Sequence, residues 1–276
     1  MALDRLTLLK AYDERLRTFV PARLPEGMTV EHDGPLVRLT DDAGFIGYRS
    51  VEGLSPADLD ALIARTRDHY AARDMAVEWK LHGHDKPADL PERLVAAGFE
   101  PEEQEVVLVG LAAPLADPDP PLPDGVRLRE VTERADLERI EDLKIAVWGG
   151  ERSGQAGALE REIAADPSGI TVVVASPPDL VVSAAWVRYV PDTGFATLWG
   201  GATLPEWRGR GIYRALVAYR AHLAASRGYT YVQVDAMPMS RPILERLGFV
   251  AVTTTTPYVF TPAGVRHADA SVPAAP

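Results

Sequence analysis

The chain has 276 residues, with 29 Lys and Arg against 40 Asp and Glu, a formal net charge of −11. That excess of acid argues against a protein built to grip a phosphate backbone, and 46% hydrophobic with 25% charged residues excludes a disordered or fibrous chain. Cysteine is absent, which removes disulfides, thiolate metal sites and a cysteine nucleophile together.

The first residues lack the basic region, apolar run and cleavage site of a secretory leader, and no stretch approaches roughly 18 uninterrupted apolar residues. A cytoplasmic protein is the expectation. A strand is predicted over 44–51. Ser55-Pro56 then reads as an N-cap followed by proline at the first helical position, with Leu59, Leu62, Ile63 and Tyr70 on one face. A turn near Arg73-Asp74 leads to a strand through Trp79, a helix ends at Gly98-Phe99, and a strand covers 105–111. His82, His84 and Asp85 have the residue types of a metal site, but without a distant further ligand they read as a polar loop, and no metal is expected.

Closely spaced prolines over 114–125 predict an extended linker. The stretch 126–131 alternates as a strand, 134–147 has amphipathic helical spacing, and a short helix covers 158–165. Three strands follow, over 170–175, 180–189 and 195–203. A helix over 211–226 places Ile212, Ala215, Leu216, Tyr219 and Leu223 on one face and is stopped by Arg227-Gly228. A strand over 229–235, a helix over 240–247 closed by Gly248, a strand from Phe249 to about 255 and a final strand over 258–260 complete the order. The first half repeats the later part of this order, down to the Gly-Phe pair that closes a helix and opens a strand, which predicts a duplication.

The chemistry concentrates at Trp207-Arg208-Gly209-Arg210-Gly211-Ile212-Tyr213-Arg214. A strand enters a glycine- and arginine-rich turn that opens a helix, so backbone N–H groups, the positive end of the helix dipole and guanidinium groups converge on a phosphate-binding point. A dinucleotide fold would use G-x-G-x-x-G, but the third glycine is missing and the preceding strands look antiparallel. There is no Gly-Lys pair, which excludes a P-loop.

Arg208-Gly209-Arg210-Gly211-Ile212-Tyr213, with Leu244-Glu245-Arg246-Leu247-Gly248-Phe249 downstream, resembles the GNAT superfamily of N-acetyltransferases, whose pyrophosphate motif is R/Q-x-x-G-x-G/A before a helix. Tyr213 departs from the small residue of that pattern. The resemblance covers roughly 126–260. It implies acetyl-CoA lying along the strand that ends Ala202-Thr203-Leu204, with its pyrophosphate on the amides of Gly209, Arg210, Gly211, Ile212, Tyr213 and Arg214. The first half is similar to a degenerate copy, since Glu52-Gly53-Leu54-Ser55-Pro56 offers an acid and a proline where the second half has arginines and glycines.

The expected architecture is therefore α/β: two tandem GNAT-like domains, each a central mixed β-sheet flanked by helices. The boundaries are 1–113 for the degenerate copy, 114–125 for the linker, 126–262 for the acetyl-CoA-binding copy and 263–276 for a flexible tail. Transfer to an amine needs a base, an oxyanion donor and an acid. The family's tyrosine acid falls at Leu244 and its asparagine at Met237, so the usual acid is missing. Asp235 is the candidate base, with Glu206 as an alternative, and Tyr258 and Ser240 are candidate acids. Trp186, Trp199 and Trp207 read as core and cleft walls. The expected activity is an acetyl-CoA-dependent N-acetyltransferase acting on a small-molecule amine, with no nucleic-acid or membrane partner. The alternatives are a noncatalytic coenzyme A-binding protein and, behind it, an NAD-dependent oxidoreductase.

Overall fold

A computed structural model describes residues 4–20, 24, 27–178 and 180–265. From 266 on, the expected tail lies outside the described residues. In chain order the elements are α1 (Arg5–Arg15), β1 (Thr29–Asp33), β2 (Leu36–Thr40), β3 (Gly44–Tyr48), α2 (Pro56–Ala71), β4 (Val77–His82), α3 (Leu90–Ala96), β5 (Glu100–Pro101) and β6 (Glu105–Leu111). A short helix α4 (Ala112–Leu115) precedes β7 (Arg127–Val131), α5 (Arg134–Trp148), α6 (Gln155–Ala165), β8 (Ile170–Ser176), β9 (Ser183–Val190) and β10 (Phe195–Thr203). The turn Pro205–Trp207 leads into α7 (Ile212–Ser226), β11 (Tyr231–Ala236), α8 (Arg241–Leu247) and β12 (Val250–Phe260). No helix among the described residues is long and apolar enough to cross a membrane.

The chain forms two compact units, and neither is one continuous stretch. The first comprises residues up to Val107, Asp235–Arg241 and the chain from Ala251 on; the second comprises Leu108–Val234 and Pro242–Val250. Residues 108–113, 235–241 and 251–262 thus lie on the other side of the division from the stretches 1–113 and 126–262 in which the sequence groups them. The strand that follows Gly248-Phe249, β12, belongs from Ala251 on to the first unit. After Gly98-Phe99 come the two-residue β5, which pairs with β12 in the first unit, and then β6, which belongs from Leu108 on to the second, beside β11.

In the first unit the strands run β1-β2-β3-β4-β12, with β5 on β12. β3 and β4 are parallel and the other pairs antiparallel. Ser55 caps α2, its Oγ accepting from the Asp58 amide at 3.2 Å, and Pro56 opens the helix. The helix buries Leu59, Leu62, Ile63 and Tyr70 against Ile46, Trp79 and Phe99. Each such side chain contributes about 1.5–3 kcal/mol relative to exposure. β1 and β2 form a hairpin turned at Gly34 (φ 59) that the sequence pattern does not pick out.

In the second unit the order is β7-β8-β9-β10-β11-β6. Strand alternation divides its two faces. Val172 and Val174 of β8 pack with Leu137, Ile140, Leu143 and Leu159 of α5 and α6. Val173 and Ala175 pack with Ile212 and Leu216 of α7. The element order from β7 to β12 is the predicted one, with a correction at its end: Val250–Phe260 is a single strand that continues through Pro257.

The two units share small details. The parallel rungs Gly44↔Val77, Phe45↔Glu78 and Ile46↔Trp79 of the first unit answer Phe195↔Tyr231, Ala196↔Val232 and Thr197↔Gln233 of the second. Phe99 N–H donates to the Leu94 carbonyl at 3.0 Å and Phe249 N–H to the Leu244 carbonyl at 3.1 Å. Gly98 (φ 93) and Gly248 (φ 109) supply the left-handed residue that closes each helix.

Candidate functional site

The parallel pairing of β10 with β11 ends at Thr197↔Gln233, although β10 continues to Thr203. Residues 198–203 keep their β9 neighbours but have left β11, which exposes a strand edge inside the unit. A bulge between Trp199 and Ala202 turns this part of β10, because Gly200 and Gly201 together stand opposite one β9 residue. Gly200 has φ 66, and a Cβ there would fall 1.9 Å from the Trp186 ring. Only glycine fits.

Arg220 supports the bulge from α7. Its Nη1 donates to the Trp186 carbonyl at 3.0 Å and the Trp199 carbonyl at 3.2 Å, and its Nε to Leu216 O at 3.0 Å. The residue is 2% exposed, although an arginine is seldom fully buried unless paired; helical spacing sets it beside Leu216 on the apolar face. Burial pulls its guanidinium down to about 10, so it remains charged at neutral pH. Arg220→Met is expected to cost about 3 kcal/mol in chemical denaturation, since two buried carbonyls lose a charged donor; a loss under about 1 kcal/mol would contradict the assignment.

Beyond Thr203 the chain makes the turn Pro205–Trp207 and then reaches Gly209 (φ 73) and Gly211 (φ 86). Gly211 is the N-cap of α7, with no side-chain cap and no acidic residue in the first turn. The amides at the helix start, which have no intrahelical acceptors, therefore face a site free of competing carboxylate on the helix itself. Arg208, Arg210 and Arg214 are exposed around it. Arg208 Nε donates to Thr203 O at 3.1 Å, and the Arg210 guanidinium lies 4.9 Å over the Trp207 ring. Ser183 Oγ donates to Ala202 O at 2.7 Å and lies 2.8 Å from Thr203 Oγ1. Tyr213, the departure from the small-residue pattern, lies against Gly201: a Cβ at Gly201 would meet its ring at 3.0 Å. The cofactor-binding candidates Ala202, Thr203, Leu204, Arg208, Gly209, Arg210, Gly211, Ile212, Tyr213 and Arg214 are thus gathered on one strand end, turn and helix start, with the residue types and backbone that an anionic, extended cofactor requires.

The proposed acids and base lie in the first unit. Asp235 accepts from Lys80 Nζ at 2.5 Å, both side chains nearly buried. Burial would lower the Lys80 ammonium, but Asp235 and Glu78 outweigh it and the net shift is upward. Tyr258 packs in the apolar core with Trp79, its cross-strand partner, and its phenol is raised by burial. Ser240 Oγ donates to Met237 O at 3.1 Å in the turn before α8. His82, His84 and Asp85 are tied into the protein: Tyr12 Oη lies 2.9 Å from His82 Nε2, His84 Nε2 3.0 Å from Asp13, and Arg17 Nη2 2.9 Å from Asp85 Oδ1.

One carboxyl the sequence reading passed over is Glu105, pushed up to about 7 by burial and by the Asp235 charge, against Lys80. Its ordinary value is 4.5. Between these values the folded chain holds a proton that the unfolded chain releases, so its stabilising contribution is lost as pH rises through about 7. His82, pushed down to about 4 chiefly by burial, acts oppositely, its contribution being lost as pH falls from 6.5. Glu105→Gln keeps the neutral form, so the variant is expected to gain stability relative to the native chain as pH rises from about 4.5 to 7. Urea unfolding at the two ends of that range checks it, and a constant difference would contradict it.

Residues 137–249 match the model of the acetyltransferase (GNAT) family. A GCN5-related N-acetyltransferase from Kribbella flavida is 19% identical, covering 98% of this chain and 99% of its own, with a TM-score of 0.68. A tandem GNAT protein from the clavulanic acid biosynthesis pathway is 13% identical, covering 96% and 98%, with a TM-score of 0.62. A GCN5-related N-acetyltransferase from Sphaerobacter thermophilus is 14% identical, covering 82% and 76%, with a TM-score of 0.56. No curated protein matches the chain.

Proposed function

The second half of the chain carries a domain of the acetyltransferase (GNAT) family, and from that premise we propose that the protein is an acyl-CoA-dependent N-acyltransferase that delivers acetyl to an amine of a small molecule. The observation that carries the reading is the anion cradle at Gly209, Gly211 and the start of α7, set directly after a strand edge that has left its neighbour. Acetyl-CoA, when bound, supplies an activated thioester. The chain's own part is to hold and orient it. The amides of Gly209, Arg210, Gly211, Ile212, Tyr213 and Arg214 would take the pyrophosphate, Arg208 and Arg210 would neutralise charge, and the free edge near Ala202, Thr203 and Leu204 would pair with the amide groups of the pantetheine arm.

The first unit supports a division of labour. Its α2 start has Ser55 spent on the Asp58 amide, Asp58 in the first turn and no N–H at Pro56. Beyond its own parallel rungs, Tyr48 Oη donates to Asp85 Oδ2 at 2.5 Å and Arg17 stacks 5.0 Å from the Tyr48 ring. Internal polar contacts thus stand in the first unit where the second has its glycine turn, which supports reading it as a degenerate copy. Asp235, Tyr258 and Ser240 are engaged within the first unit, with Lys80, Trp79 and Met237 O, so we assign them no step of the transfer.

A noncatalytic coenzyme A binder is the second reading. It is favoured by Leu244, fully buried at the position where the family's tyrosine acid would stand. The nicotinamide reading loses its support, because β7, β8, β9 and β10 pair antiparallel. Calorimetric titration with acetyl-CoA tests the proposal: binding is expected, weakened about tenfold by Arg208→Ala and by Arg210→Ala. Absence of binding sinks it. Acetyl-CoA consumption across a panel of amines then separates enzyme from binder.

A further inference from the structure

Trp199 is held more firmly than a partly exposed aromatic needs to be. Its Nε1 donates to Thr197 Oγ1 at 2.7 Å. The Arg188 guanidinium lies 5.0 Å from its ring centre and is itself clamped by Glu162 of α6, Nε to Oε1 at 2.6 Å and Nη2 to Oε2 at 2.9 Å. Directly opposite on β9 stands Trp186, whose ring lies under Gly200 and is buried. The two indoles form a wall on the α5 and α6 face of the sheet.

The wall stands at a defined distance from the anion cradle. Pairing with β11 stops at Thr197, so Trp199 lies at the inner end of the free edge of β10, and Thr203 at its outer end adjoins the glycine turn. At about 3.3 Å per strand residue the separation is on the order of 13 Å. An extended arm anchored by its pyrophosphate at Gly209 and Gly211 runs back along this edge, and its reactive end arrives beside the Trp199 ring. A locked side chain there has the rigidity that size discrimination requires.

We infer that Trp199, braced by Thr197, Arg188 and Glu162, is the wall that the acyl group meets, and that it restricts the protein to short acyl groups, with acetyl preferred over longer chains. The inference rests on the coenzyme A reading above and adds the residue that sets chain length. Trp186 backs the wall, and its Nε1 is buried with no hydrogen-bond partner among the described residues. That indole therefore contributes bulk at the bulge without a polar contact of its own.

Calorimetric titration with free CoA, acetyl-CoA, butyryl-CoA and hexanoyl-CoA needs no knowledge of the acceptor. The native chain is expected to bind hexanoyl-CoA at least about tenfold more weakly than acetyl-CoA, the scale on which a few methylenes are discriminated by a rigid apolar wall. In Trp199→Ala that ratio is expected to fall to about twofold or less, with the affinity for free CoA unchanged. Trp199→Leu, which leaves a smaller void and folds more readily, is expected to shift in the same direction. Equal binding of all esters by the native chain, or an unchanged ratio in both variants, overturns the inference while the cofactor reading stands. Failure of the native chain to bind free CoA removes that reading and this inference with it.

Discussion

Replacing Gly211 by aspartate is expected to weaken acetyl-CoA binding by about 100-fold while leaving the unfolding midpoint nearly unchanged. The carboxylate would cap the first-turn amides of α7 and set a negative charge where the pyrophosphate must sit. Two smaller effects on stability oppose each other. A non-glycine residue at φ 86 costs on the order of 1 kcal/mol, less for aspartate than for most. An aspartate in place of glycine at the N-cap returns a few tenths of a kcal/mol, and its charge at the helix N-terminus roughly 0.3–1 kcal/mol more. The variant would thus reproduce at α7 what α2 already has, where Ser55 and Asp58 occupy the helix start. Calorimetry and thermal melting on the same sample separate the two outcomes. Native-like binding by a folded Gly211→Asp protein would mean that the cradle lies elsewhere.

The second large effect concerns the last strand. A chain ending at residue 250 is expected to lose the cooperative folding of the first unit altogether. It would lack the rungs from Thr255↔His82 to Phe260↔Val77, the buried Val252, Tyr258 and Val259, and the Thr255 hydroxyl bond to Leu81 O. At about 1 kcal/mol per hydrogen bond and about 2 kcal/mol per buried side chain, the loss matches the whole stability of an ordinary domain, about 5–15 kcal/mol. Circular dichroism and amide exchange on residues 29–82 report it. Protected amides there in the shortened chain would show that the first unit stands without β12.

The order of elements in the second half is legible in sequence because each carries its own period. Val172 and Val174 alternate with Val173 and Ala175, and Ile212, Ala215 and Leu216 recur at helical spacing. The glycine turn is legible for the same local reason: Gly209 and Gly211 mark positive φ, and a helix follows. What pattern reading misses is non-local. By residue type Arg220 looks like a solvent-facing charge, and only the unmet carbonyls of Trp186 and Trp199 explain its burial. β6, a run of apolar residues, and β12, with four consecutive threonines, both come after a helix closed by Gly-Phe, and nothing within either strand names its partner. An acid for the proposed transfer is not legible in the sequence, because Leu244 and Met237 stand where the resemblance leads one to expect tyrosine and asparagine. The lock on Trp199 did leave a trace: Thr197 and Trp199, two apart on a strand, share a face.

The place of β12 in the first unit also bears on the order of events during synthesis. The first unit's sheet is begun early in the chain, but β12, which flanks β4, is made only after β7 to β11 of the second unit. Until residues 251–260 leave the ribosome, that edge of β4 has no strand beside it. An unpaired edge is the part of a sheet most open to wrong pairing, so β4 stays at risk until β12 is made.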